Sequence, residues 1–450
     1  MKIQTLLIQL FLILFLLLST SLVSIAGEET TTEDVRQETG ASLWNELSEG
    51  FDYNLRIIAF TNYQDVSCST QNPDNDFLRI PRYETQGELR PDLRLTFRSL
   101  DFSVKPRMKV RWLIGEDGSM EGETDVEDDW FITEWLARLK MTENLFVSYG
   151  RENLQWGPSY LFSPSNPFFR DNGRNNPKKE IPGMDFARLV WLPDFLWSIS
   201  LIANLDKGEQ DFLFYDFQKS YALKVDYNGQ ESYAGLILSY QEKDRTKLGF
   251  FAGLTASDAL LLYSEGSISR GTNILYPVEM NNPFSASMEA ENDKASSLDE
   301  VFLVGGSYTL EMGPTLTMEY LYNGPGYSDN QAKHFYQLRE RASENYNQPG
   351  LSGLSRLTLS HTADPKMRFL RKNYLMVQYI HNDILDVLNL TFRWTQNLDD
   401  GSGQFISLIE YLLGDHIELF SIGSINTGNH DKEFRTILDA QWMIGMEYTF

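Results

Sequence analysis

Apolar and polar residues exchange places with a period of two along most of this chain, in runs of about ten residues from Tyr53 onward. Between Asp92 and Arg98, Leu93, Leu95 and Phe97 share one face, while Asp92, Arg94, Thr96 and Arg98 share the other. Between Phe102 and Trp112 the apolar face is Phe102, Val104, Pro106, Met108, Val110 and Trp112. The opposite face carries Ser103, Lys105, Arg107, Lys109 and Arg111. Period two means β-strand, and such runs exceed the roughly five or six residues of an ordinary strand. The pattern predicts strands at 53–63, 88–98, 102–113, 130–141, 145–151, 184–192, 195–204, 218–227, 231–241, 246–255 and 259–265. It continues at 300–310, 314–323, 369–380, 385–396, 403–412, 415–424 and 437–450.

The connections alternate in length as well. Ser99 to Asp101, Thr142 to Asn144, Pro193-Asp194, Asn228 to Gln230, Met312-Gly313 and Gly414 are tight, whereas 64–87, 114–129, 152–183, 266–299 and 324–368 are long. Short turns at one end and long loops at the other predict an all-β fold: a transmembrane, antiparallel, up-and-down β-barrel of about 18 strands (16–18), with short periplasmic turns and long extracellular loops. A soluble sandwich has no reason to segregate its loops in this way. A solenoid would need a fixed sequence period, and none is present.

The last strand carries Leu438, Ala440, Trp442, Ile444, Met446, Tyr448 and Phe450 on one face. In this it resembles bacterial outer-membrane β-barrel proteins, porins among them. The resemblance implies that Tyr448 and Phe450 form the signal read by the barrel-assembly machinery. Only a closed barrel or a helix satisfies its backbone in lipid, and a barrel's lipid face is apolar only at alternate residues. A mean hydropathy of −0.34 is therefore compatible with membrane insertion.

Residues 1–26 read as a signal peptide: Lys2 is the positive end, Leu6 to Leu18 the apolar stretch and Ser24-Ile25-Ala26 the cleavage site. An uncleaved anchor helix is the other reading of this segment. Residues 27–50 read as a flexible acidic periplasmic leader, and 51–450 as the barrel. The expected location is the outer membrane of a Gram-negative-type envelope, with its lipid and lipopolysaccharide as partners. The 63 acids against 39 bases give a net charge of −24 and argue against nucleic acid as a partner. The single cysteine, Cys68, can form no internal disulfide.

Against that acidic whole, cations gather on the polar face of a few strands. Arg94, Arg98, Lys105, Arg107, Lys109 and Arg111 are joined by Arg138, Lys140 and Arg188. If the apolar stripes face lipid, these line the lumen and attract anionic or polyhydroxylated solutes. Alternatively they pair with acids such as Asp92 and Glu134, or with acids of loops folded inside.

The 152–183 connection carries Trp156, Tyr160, Leu161, Phe162, Phe168 and Phe169 where a solvated loop would be polar. An apolar loop must be covered, and the tube interior is the available place. There it would narrow the pore and present Arg151, Arg170 and Arg174, with Lys178 and Lys179, to passing solutes. Capping the rim, or meeting a partner protein, is the other use for these rings. Gly150-Arg151 followed by Trp156-Gly157-Pro158 resembles the G-R…W-G element of the capsule-assembly and alginate-export barrels. That resemblance implies an eighteen-stranded barrel handling polysaccharide. The Ser163-Pro164-Ser165-Asn166-Pro167 segment departs from it.

The acidic stretch 114–129, from Glu116 to Asp129, offers oxygens of the kind that bind Ca²⁺ or Mg²⁺, although its spacing is not that of an EF-hand. A solvated acidic loop is the plainer alternative. No other cofactor or metal site is expected. None of the five histidines lies in a metalloprotease or serine-hydrolase motif. The expected function is a non-enzymatic, porin-like channel passing small anionic or sugar-like solutes. A non-conducting surface barrel that binds or assembles polysaccharide is the second reading, and an outer-membrane hydrolase the third.

Overall fold

Strand formation follows the alternation, and the strands close on themselves. The computed structural model describes residues 45–169, 171–210, 216–242, 245–270, 274–278, 288–290 and 298–450. The expected signal peptide and nearly all of the leader lie outside these described residues. Met1–Glu49 and Gly50–Phe450 are separate units, and within the first, residues 45–49 are helical.

The second unit begins with β1 (Phe51–Val66), β2 (Tyr83–Phe97), β3 (Leu100–Ile114), β4 (Thr124–Thr142) and β5 (Leu145–Glu152). It continues through β6 (Met184–Trp191), β7 (Trp197–Asp206), β8 (Ser220–Asn228), β9 (Ser232–Gln241), β10 (Arg245–Ser257) and β11 (Leu260–Arg270). Two short strands, β12 (Leu275–Pro277) and β13 (Met288–Ala290), pair only with each other. The wall resumes with β14 (Leu298–Thr309), β15 (Thr315–Asn323), β16 (Asn373–Ile384) and β17 (Leu388–Asn397). It ends with β18 (Gly403–Leu413), β19 (Ile417–Thr427) and β20 (Leu438–Thr449).

Eighteen strands thus form one antiparallel sheet, and β20 pairs back onto β1 with Tyr448 opposite Ile57 and Trp442 opposite Tyr63. The Phe450 amide adds a bond to the Leu55 carbonyl (3.0 Å). A closed sheet leaves no edge to satisfy. The fold is the expected up-and-down barrel, with short turns at one end and long connections at the other.

The two faces differ as the alternation requires. Leu139, Val147, Leu189, Leu201, Leu223, Leu238, Leu248 and Ile268 lie opposite one another in a hydrogen-bonded row from β4 to β11. All are exposed on the outer wall. On β3, Met108 is 49% exposed outside while the neighbouring Arg107 is wholly buried inside. An apolar band of this extent calls for lipid as its surroundings.

The 324–372 connection is not an irregular loop. It contains α1 (Asp329–Glu344) and α2 (Ser352–Ala363). Ser328 caps α1 in a reciprocal box with Gln331, and Ala332, Phe335, Leu338 and Ala342 are its buried stripe. Ser360 and His361, neighbours in the sequence, therefore sit on a helix. Arg339 of α1 is 2% exposed and donates to Thr70 Oγ1 (3.1 Å), the Asp431 carbonyl (2.6 Å) and Thr436 Oγ1 (3.4 Å). Three long connections are thereby bound into one cap.

The acidic stretch also changes shape. Only 115–123 is a connection, because Thr124 onward belongs to β4. Alternation sends Glu127 and Asp129 inward and Asp128 outward, so these acids do not share a face. Among the described residues no three His, Cys, Asp or Glu side chains converge as metal ligands.

Candidate constriction site

The 153–183 connection folds into the barrel and touches the wall nearly all the way round. Its first half is apolar and lies on an apolar part of the inner wall. Trp156, Phe168 and Phe169 pack with Phe186, Ile202, Ala222, Ile237 and Phe251 of β6 to β10. Leu161, Tyr160 and Phe162 pack with Tyr263, Leu303, Leu321, Tyr374 and Met376. Burying these rings against the wall supplies the cover that their composition demands.

Its second half is polar and meets a charged wall. Asn175 Oδ1 accepts from Arg393 Nη1 (2.5 Å), and Lys178 Nζ sits among Glu410 (3.2 Å), Glu418 and Glu447 (3.8 Å). Burial alone would lower the Lys178 ammonium, but these three carboxylates outweigh it and hold its pKa above the usual lysine value. Glu180 takes two bonds from Arg107, Nε to Oε2 (2.6 Å) and Nη2 to Oε1 (2.8 Å). Burial works against its charge, yet Arg107, with Arg90 and Arg56 behind it, holds the Glu180 carboxyl below the usual range.

The cations singled out from the sequence are, for the most part, matched by acids. Lys105 pairs with Glu134 (2.9 Å), Lys109 with Asp129 (3.6 Å), Arg111 with Glu127 (2.5 Å), Arg138 with Asp101 (2.6 Å) and Arg188 with Glu152 (2.8 Å). Arg107 also holds Asp92 (2.7 Å), and Arg94 lies 4.0 Å from Asp101. Arg98 sits in the turn after β2 with a left-handed backbone, its guanidinium over the Phe97 ring. Lys140 is exposed near the turn end of β4. Arg151 is buried between Asp185 (2.8 Å) and Glu209 (2.6 Å), at the root of the loop rather than its tip. Arg170 lies outside the described residues.

Two loop cations differ from the rest. Arg174 and Lys179 are exposed, and neither makes an ion pair among the described residues. The Arg174 guanidinium lies over the Tyr160 ring (4.6 Å) and donates to the Pro158 carbonyl (2.9 Å). On the wall, Arg393 approaches the same ring (5.7 Å) and, among the described residues, bonds to the amide oxygens of Gln378 and Asn175. Tyr160 thus has two guanidinium groups close to its ring.

Sequence reasoning missed Glu265, Glu319, Arg393 and the three acids around Lys178. Each is one polar residue within an alternating strand, and nothing in its own run marks it. Their importance lies in what the loop brings to them.

No protein-family model matches this sequence, and no curated protein matches it. Solved structures do. Pseudomonas aeruginosa OccK7 (OpdD) has a TM-score of 0.53 at 11% identity, over 89% of this chain and 98% of that one. The outer membrane protein OprD of the same species has a TM-score of 0.51 at 8% identity, over 88% and 94%. P. aeruginosa OpdK, solved with vanillate, has a TM-score of 0.52 at 10% identity, over 89% and 99%. The chain has the fold of these outer-membrane barrels, the eighteen-stranded porin-like architecture.

Proposed function

We propose that this protein is a passive, porin-like channel of a Gram-negative-type outer membrane, selective for small anionic solutes. The observation that carries the reading is the exposed pair Arg174 and Lys179 on an inward-folded loop whose Lys178 and Glu180 are matched by the wall. In a narrow passage, uncompensated charge sets which ion enters. The apolar outer band suits lipid, and the likeness in fold to OprD supports the outer membrane as the location. Vanillate, the compound solved with OpdK, is an aromatic carboxylate, and the Tyr160 ring with two guanidinium groups beside it offers the chemistry to meet such a solute.

Purified protein in a planar bilayer should give discrete current steps with a reversal potential on the anion side. Arg174→Gln with Lys179→Gln should move that potential toward cations. Absence of any current would sink the channel reading.

One feature favours a second reading. The loop meets the wall on both halves of its course, as a seal would. A barrel closed in this way would serve as a surface platform that binds polysaccharide without conducting, and a silent bilayer would leave that reading standing.

A further inference from the structure

Glu265 of β11 and Glu319 of β15 project inward from the wall, and both are wholly buried. Almost everything that satisfies them comes from the constriction loop. Glu319 Oε1 accepts from the Tyr160 amide (2.6 Å) and from the hydroxyl of Tyr263 (2.7 Å), and its Oε2 accepts from the Leu161 amide (2.9 Å). Glu265 accepts from the Ser159 hydroxyl (2.6 Å), the Ser163 hydroxyl, and both the amide (3.2 Å) and hydroxyl (2.7 Å) of Ser165.

The surroundings are shaped to admit this contact. Gly157 has φ +86°, and a Cβ there would lie 2.3 Å from a Glu265 oxygen. A Cβ on Gly249 of the neighbouring strand would lie 2.6 Å from the Ser165 carbonyl oxygen. Two glycines, one on the loop and one on the wall, let the backbone come down onto the carboxylates.

We infer that Glu265 and Glu319 are the positioning residues of the channel: a two-carboxylate seat that fixes the constriction loop and, through it, the selectivity. This deepens the channel reading and rests on it for the selectivity part alone. The Ser163-Pro164-Ser165-Asn166-Pro167 segment is the loop's half of the seat. Two of its hydroxyls reach Glu265, and Asn166 Oδ1 caps the Phe168 amide (2.9 Å). The path to selectivity is short. Glu319 holds the Tyr160 backbone, and the Tyr160 ring carries the Arg174 guanidinium. A buried carboxylate needs its donors, and the donors belong to one segment, so the segment stays where the carboxylates are. The loop is a fixed insert, not a lid.

Two measurements on the full-length protein test this. Hydrogen exchange of the loop is read in wild type, Glu319→Gln, and a Ser159→Ala, Ser163→Ala, Ser165→Ala variant that leaves the wall untouched. Bilayer currents are recorded from the same samples, with heat-modifiable migration as the check on folding. A glutamine would turn an amide donor toward the Tyr160 or Leu161 amide. Exchange at those positions should therefore rise by on the order of tenfold or more, with noisier current and a weaker anion preference. If Glu319→Gln does not fold, the serine variant decides alone through the same readouts. Exchange and current unchanged in every folded variant would overturn the seat. A silent wild type whose loop exchange still responds would support the seat while removing the channel.

Discussion

Arg107 and Glu180 are joined side on, with two parallel bonds of 2.6 and 2.8 Å between the guanidinium edge and the carboxylate. The arginine belongs to the wall and the glutamate to the end of the constriction loop. Asp92 completes the group at 2.7 Å. Arg107 is wholly buried, and removing its charge would leave the two acids sharing Arg56, 3.1 Å from Asp92 and 3.6 Å from Glu180. Arg107→Gln should destabilise the loop end by about 1–3 kcal/mol, less than breaking a fully enclosed pair from one side, because Arg56 still faces both acids. Protease cleavage near Lys178 and Lys179 in detergent-solubilised protein reads this out. Resistance equal to wild type would show that the loop end is held by other contacts.

Selectivity separates the matched cations from the unmatched ones. Lys109 and Arg111 face Asp129 and Glu127 across the β3–β4 ladder. Replacing both with Gln frees two carboxylates at the loop end of β4. Arg174→Gln with Lys179→Gln removes charge that no acid among the described residues balances. The second pair should shift the reversal potential toward cations several-fold more than the first, in a bilayer under a salt gradient. A larger shift from Lys109 and Arg111 would place the filter at the β3–β4 wall.

Glu433, in the connection before β20, accepts from the Leu370 amide (2.8 Å), the Tyr374 hydroxyl (2.5 Å) and the Asn397 amide (2.7 Å). The residue is half-buried, but its carboxyl is enclosed. Burial, with Asp400 nearby, pushes that carboxyl from 4.5 up to about 7 against the pull of its donors. A carboxyl with a higher pKa folded than unfolded favours the folded loop when protonated. Its contribution is complete below 4.5 and is lost as pH rises through about 7. Cys68 is exposed, and its neighbours Ser67 and Ser69 bond to His430 and Thr436 of the same connection. A spin label on this single cysteine should report a more mobile cap at pH 8 than at pH 5.5. The difference should shrink in Glu433→Gln, and a difference of full size there would assign the titration to another group.

The terminal Phe450 packs edge-on against Tyr448 (4.6 Å) and bonds to Leu55 through its amide. Its deletion removes a ring and a backbone bond from the strand that closes the barrel. Assembly yield in cells, read by heat-modifiable migration, should fall sharply. Tags in 345–351, between the helices, should be reachable on intact cells, whereas tags in the 229–231 turn should not. The reverse labelling would invert the barrel.

How much of this was legible in the sequence depends on distance along the chain. Strand identity is local: Met108 outside and Arg107 inside follow from two adjacent letters once lipid is the outer medium. Loop burial was legible too, since Trp156, Phe168 and Phe169 have no place in water. Pairing was not. Lys105 meets Glu134 only because β3 and β4 adopt one register, with an irregularity beside Pro106. The helices left a readable trace in Ser328, Gln331, Ala332, Phe335 and Leu338, where the period changes from two to about 3.6. A reading tuned to strands passes over that change. Glu265 and Glu319 were illegible, because a lone acid on an inward face looks like any other lumen residue.

Arg339 gives the cap a further consequence. Thr70 follows β1, and Asp431 and Thr436 precede β20, so the acceptors of this guanidinium are brought together when β1 and β20 have paired. An unclosed sheet would part these acceptors and leave the guanidinium fewer partners than its burial demands. The cap therefore acts as an inspection of its own assembly: it can be completed on a sealed cylinder and is penalised on an open one.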